Sequence, residues 1–104
     1  MRKRARVDGN HAELVQALRQ AGCTVQSLAA LGEGTPDLLV GADGRNLLLE
    51  VKNGAKAPSK RRLTPDEAAW HGQWRGQVAV VATVDEALAV VQAGKGCTRN
   101  VDGG

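Results

Sequence analysis

The residues of this chain with the clearest capacity for chemistry are Asp37, Glu50 and Lys52. They lie in the stretch Gly34 to Lys52, GTPDLLVGADGRNLLLEVK, which reads as two apolar strands around Asp43-Gly44. Asp-Gly is the strongest two-residue hairpin signal, because a type I′ turn requires positive φ at both central positions. With those residues at the turn, Ala42 faces Arg45, Leu39 faces Leu48 and Asp37 faces Glu50. Side chains alternate faces along a strand, so Asp37, Glu50 and Lys52 emerge on one side, the carboxylates with Cβ atoms roughly 4.5–5.5 Å apart. Like charges opposed on a sheet are destabilising, so the chain must leave both in water or give them a cation to share. Two hard carboxylates at that spacing suit Mg²⁺, which keeps several waters and completes its shell with phosphate oxygens. A neighbouring lysine can orient or activate water, or stabilise charge building on a phosphate. The plainer alternative is a solvated edge hairpin, and a bulged turn would send one carboxylate to the opposite face.

The remaining elements can be read outward from this hairpin. Asp8 or Asn10 can cap a helix running to about Ala21, with Gly22 as its stop. His11, Leu14, Val15, Leu18 and Ala21 form its apolar face, His11 reading as a partly buried surface histidine. Glu13 lies off that face and, taken alone, is an acid favouring the positive helix start. Cys23 to Leu28 alternates as a first strand, and Gly32 and Gly34 let the connection pass close to a ligand or simply form a loop. Downstream of Lys52, the cations Lys56, Lys60, Arg61 and Arg62 share a polar loop with Gly54 and Pro58. Their position beside the carboxylates makes them the clearest phosphate-binding candidates, against the alternative of a solvated loop.

Thr64-Pro65-Asp66-Glu67 is a capping box with proline at the first helical position, which gives Glu67 a structural role of its own. Trp70 and Trp74, one turn apart, read as a core-packing pair, with stacking on an unpaired base as the alternative. His71 and Arg75 beside them could meet a backbone phosphate. Val78 to Ala82 reads as a buried central or parallel strand, and Thr83 to Glu86 opens a helix running through about Gln92 and ended by Gly94. The order α-β-β-β-α-β-α predicts a mixed four-stranded sheet flanked by helices. It occupies a single domain over residues 1–94, with a basic arm at 1–7 and a flexible tail at 95–104.

Gly34-Thr35-Pro36-Asp37 followed by Glu50-Val51-Lys52 resembles the signature of the PD-(D/E)xK nucleases. Leu63 to Glu67 followed by Trp70 resembles the compact VRR-NUC branch, many of whose small proteins are encoded in phages and prophages. The resemblance runs from about His11 to Val91 and implies a restriction-endonuclease-like α/β core. It implies an endonuclease that hydrolyses DNA phosphodiester bonds with Mg²⁺ or Mn²⁺. Under it, Asp37, Glu50 and the Val51 backbone carbonyl ligate the ion, Lys52 positions or activates the water, and Glu13, the acid available on the first helix, supports the metal shell. The family often has Gln where this chain has Glu67, so Glu67 is a secondary candidate. Small VRR-NUC-like proteins resemble branched-DNA resolvases that work as dimers. The implied substrate is therefore a Holliday junction or flap, met by a homodimer.

Bulk properties agree with these limits. The chain has 104 residues, a formal charge of +3, two Trp and no Phe or Tyr, so its core must be Leu, Val and Ala around the two Trp. A pI near 9.2 fits a polyanionic partner without demanding one. No stretch approaches the ~20 apolar residues of a membrane span, and no apolar segment follows the basic start, which points to the cytoplasm of a bacterial host or phage-infected cell. Cys23 and Cys97 lack metal-ligand spacing and read as reduced thiols. Two alternatives stand beside the structure-selective nuclease: a DNA-binding module that keeps the fold without cutting, and a sequence-specific, restriction-like nuclease.

Overall fold

Asp43 and Gly44 take φ values of 53° and 78°, the two positive angles that a type I′ turn demands. The computed structural model describes residues 10–57, 59 and 61–103, with the backbone alone for 94–103. In it the turn joins β2 (Leu38–Ala42) to β3 (Arg45–Val51), pairing Ala42 with Arg45, Leu39 with Leu48 and Leu38 with Leu49. β1 (Thr24–Ser27) runs antiparallel along β2, and β4 (Val78–Val81) runs parallel to β3, so the sheet order is β1-β2-β3-β4. With α1 (His11–Gln20), α2 (Pro65–Gln73) and α3 (Val84–Gly103), the chain is the mixed four-stranded α/β architecture predicted from its sequence.

The alternation of β2 and β3 sorts their side chains by face. Leu38, Val40, Leu47, Leu49 and Val51 join Leu14 and Leu18 of α1 and Ala87 and Val91 of α3 in one buried cluster. Each such aliphatic side chain contributes about 1.5–3 kcal/mol when fully buried. The hairpin is fastened to α3 by Arg45, whose Nη2 donates to the Val91 carbonyl at 3.1 Å. The intervening residues Leu39, Leu48 and Glu50 face the other side, which α2 approaches through Glu67.

Several local expectations change. Asn10 precedes α1 but makes no side-chain cap. Its amide donates instead to the carbonyls of Lys52 (3.2 Å) and Ala82 (2.6 Å), strapping together the ends of β3 and β4. Those carbonyls lie where the ladder stops and need a donor, which a cap would not supply. β4 is an edge strand rather than a central one, with Val80 44% exposed. Helix α3 passes Gly94 and continues to Gly103, where the sequence predicts a flexible tail. An interior glycine costs a helix only about 1 kcal/mol, which a run already nucleated at a capped start tolerates. That start is capped by Thr83 Oγ1, which accepts from the Glu86 amide at 3.1 Å. The basic arm 1–7, Asp8, Pro58 and Lys60 lie outside the described residues. Among those described, no helix is long and apolar enough to cross a membrane.

The connection into β2 is where backbone conformation matters most. Gly32, Glu33 and Gly34 take φ of 62°, 58° and 85° in succession, turning the chain sharply ahead of Asp37. A Cβ at Gly34 would collide with the Asp66 carbonyl in the first turn of α2. Glycine therefore serves here both the turn and the close approach of α2 to the hairpin. Gly34→Ala should destabilise the protein by at least about 1–2 kcal/mol, the cost of a left-handed non-glycine residue before any clash. That corresponds to a drop of roughly 4–8 °C in melting temperature per kcal/mol. An unchanged melting temperature would show that α2 does not depend on this contact.

Candidate active site

The strand register delivers Asp37 and Glu50 opposite one another at the open end of the hairpin, one pair beyond Leu38 and Leu49. Asp37 is held by the β3 backbone, its Oδ2 accepting from the Val51 amide at 2.8 Å. Glu50 is 3% exposed, the only charged residue among the buried ones described. Lys52 Nζ lies 3.7 Å from Glu50 Oε2 and 2.7 Å from Glu67 Oε1. The structure thus gathers Asp37, Glu50, Lys52 and Glu67 at one place. Glu67 completes the capping box predicted for it, its Oε1 accepting from the Thr64 amide at 2.9 Å while Thr64 Oγ1 accepts from the Glu67 amide at 3.2 Å. The same Oε1 meets Lys52, so cap and site share one oxygen.

Burial disfavours the charged forms of these carboxyls. Desolvation first, then the charges of Asp37 and Glu67, push Glu50 from 4.5 up to about 9. Burial raises Asp37 as well, opposed by the Val51 amide it accepts from, so both facing carboxyls are shifted toward their protonated forms. Glu67 moves the other way. Burial alone would raise it, but the Lys52 hydrogen bond, the Thr64 amide and its other partners together lower it.

The other expected site residues fall in different places. Glu13 is exposed on α1, beside Asn53, Gly54, Thr83 and Asp85. His11 acts on Asp37, and its Nδ1 is buried without a hydrogen-bond partner. Two residues along a helix is a 200° rotation at about 100° per residue, so His11 and Glu13 leave α1 in different directions. The sequence reading of His11 as a partly buried surface histidine gave it no part near Asp37, and its place on the apolar face was the available signal. Arg61 spends its guanidinium inside its own loop, donating to the carbonyls of Lys56 (2.8 Å) and Gly54 (3.0 Å). Lys56, Arg62 and Arg75 are exposed. Trp70 and Trp74 stay out of the core, since α2 has no buried residue.

Whether these residues fit a divalent cation can be judged from their donor atoms. Glu50 Oε1 is buried with no hydrogen-bond partner, and the facing Asp37 carboxylate supplies a second hard oxygen donor. Among the described residues no three His, Cys, Asp or Glu side chains form a ready ligand cluster. Mg²⁺ needs none, because it takes one or two carboxylates and keeps waters. The donor set fits.

A pH dependence follows. A carboxyl raised on folding binds more protons folded than unfolded, so Glu50 stabilises fully below its unfolded value of 4.5 and loses that contribution as pH rises to about 9. Asp37 has the same sign, and Glu67 acts on the acid side. The metal-free melting temperature should fall across that interval, and Glu50→Gln, neutral throughout, should flatten the slope. At about pH 8.5 the variant should melt roughly 5 °C above wild type, the shift for about 1 kcal/mol in a domain of this size. An identical slope in both proteins would remove Glu50 as its source.

Sequence comparison matches the chain to no protein-family model and to no curated protein. Among solved structures it is similar to one described as a VRR_NUC domain, with a TM-score of 0.59 and 24% identity over 79% of this chain and 89% of that one. The four-stranded sheet and its three helices are thus set in a known framework: the chain has a VRR_NUC-like fold.

Proposed function

We propose that this protein is a Mg²⁺- or Mn²⁺-dependent DNA endonuclease that selects its substrate by shape, acting on branched DNA of the Holliday-junction or flap type. The observation that carries the reading is Glu50, a carboxyl buried at 3% exposure and set by the strand register opposite a second carboxyl, Asp37. A binding module gains nothing from such a pair, which costs stability unless a cation offsets its charge. Asp37 and Glu50 would hold the ion, with the Val51 carbonyl as a further ligand by resemblance to the PD-(D/E)xK pattern. The ion would supply Lewis-acid polarisation of the phosphate and acidify water for attack.

The chain's own residues do the rest. The Val51 amide fixes the orientation of Asp37 at 2.8 Å. Lys52, held between Glu50 and Glu67, presents an ammonium where it can orient the attacking water and stabilise charge growing on the phosphate. Lys56, Arg62 and Arg75, exposed, are available to the phosphate backbone on either side. A homodimer would set two such sites against two strands.

Labelled linear, flap and four-way-junction DNA, incubated with Mg²⁺ or Mn²⁺, test the proposal. Wild type should cut the branched forms in preference to the linear duplex. Lys52→Ala should lower the rate by on the order of 10²–10³-fold. Asp37→Asn should lose turnover yet keep binding. Discrete cuts in linear duplex would favour a sequence-specific nuclease. Firm binding without cleavage under either metal would favour the binding module.

A further inference from the structure

The chain's two tryptophans lie at the end of α2, Trp70 within it and Trp74 at its C-cap, and neither is in the core. Trp70 and Trp74 stack on one another with ring centroids 4.6 Å apart and planes 21° from parallel, and Trp74 is 46% exposed. A protein whose hydrophobic cluster is made without Phe or Tyr has thus left its two largest apolar side chains outside that cluster, Trp70 half-buried and Trp74 exposed. Isolated exposed apolar residues are unremarkable, but a pre-stacked indole pair is a flat apolar platform with a π-face.

Its position says what it faces. At 100° per residue, Glu67, Trp70, His71 and Trp74 fall on one stripe of α2. The stripe begins at Glu67, which touches Lys52 at 2.7 Å, and His71 lies within electrostatic reach of both. Trp74 is about 10 Å along the axis from Glu67, roughly three nucleotides of rise along one strand. Arg75 follows it, exposed, and Arg62 is exposed ahead of the helix. An apolar face bordered by cations and continuous with a phosphodiester site matches a strand whose phosphates are anionic and whose bases are uncovered.

We infer that the Trp70–Trp74 pair is a stacking platform for an unpaired base of the strand that enters the Asp37–Glu50 site, so that the substrate carries single-stranded nucleotides next to the scissile phosphate. This rests on the nuclease reading and narrows it. Flaps and frayed ends offer such a base, whereas a fully paired duplex or a four-way junction with paired arms does not.

Because the two Trp are the chain's only strong fluorophores, intrinsic fluorescence reports on the platform alone. The full chain, in chelator so that no cutting occurs, is titrated with a single-stranded oligonucleotide, a flap and a blunt duplex. Quenching should be deep with the single strand and flap and slight with the blunt duplex. Trp74→Ala should weaken single-strand binding, followed by anisotropy of a labelled oligonucleotide, by about 5- to 150-fold, and Trp74→Phe should restore most of it. Circular dichroism unchanged in Trp74→Ala establishes that the loss is not unfolding, and an altered spectrum passes the decision to Trp74→Phe and the wild-type quenching. Equal quenching by all three DNAs, or no quenching, overturns the platform while leaving metal-dependent cleavage by wild type to stand or fall separately. Loss of a dimer in sedimentation of Trp74→Ala, with single-strand affinity intact, overturns it in favour of self-association.

Discussion

Two carboxyl groups facing each other across a hairpin, one of them almost wholly out of water, form the constraint around which this molecule is arranged. Glu50 cannot be ionised there without a compensating positive charge. Lys52 supplies part of that charge, and the neighbouring elements hold the groups around it in place. β3 gives the Val51 amide to Asp37, the end of β3 brings Lys52 alongside, and α2 brings Glu67 to hold Lys52 in place. The core beneath is ordinary aliphatic packing, and its job is to keep the hairpin from shearing, since a one-residue slip would place the two carboxyls on opposite faces.

The parts of the fold that were legible in the sequence are those set by local chemistry. An Asp-Gly pair between apolar runs fixes the turn, the turn fixes the register, and the register places Asp37 opposite Glu50. Thr64 to Glu67 specifies a helix start with equal economy. Less legible was whatever depends on which side of an element meets a neighbour. Helical periodicity locates an apolar face on α1 but does not say that His11, at its end, acts on Asp37 while Glu13 lies exposed beside Asn53 and Asp85. Asn10 has the composition of a cap, yet two distant strand carbonyls claim its amide.

The aromatics show the same limit from the opposite direction. Large apolar side chains are expected inside, and a chain with only two invites that assumption. How closely α2 approaches the hairpin depends in part on Gly34, far earlier in the chain, whose missing Cβ leaves room for the helix's first turn. Nothing in the sequence of α2 itself carries that information. The charges of the Asn53–Arg62 loop are a further instance. Arg61 looks available in sequence and is consumed by its own loop in space.

One oxygen, Glu67 Oε1, accepts from the Thr64 amide that begins α2 and from the ammonium of Lys52. Helix order and site charge are therefore two readouts of a single local equilibrium. A phosphate that draws Lys52 toward itself removes a donor from this oxygen and leaves it wholly to the cap. A loosened first turn, conversely, frees the carboxylate to follow the lysine. Such linkage is reciprocal by thermodynamic necessity. The conformational freedom of α2 and the affinity of the site for anions are in that sense one variable, and evolution at either position would tune both.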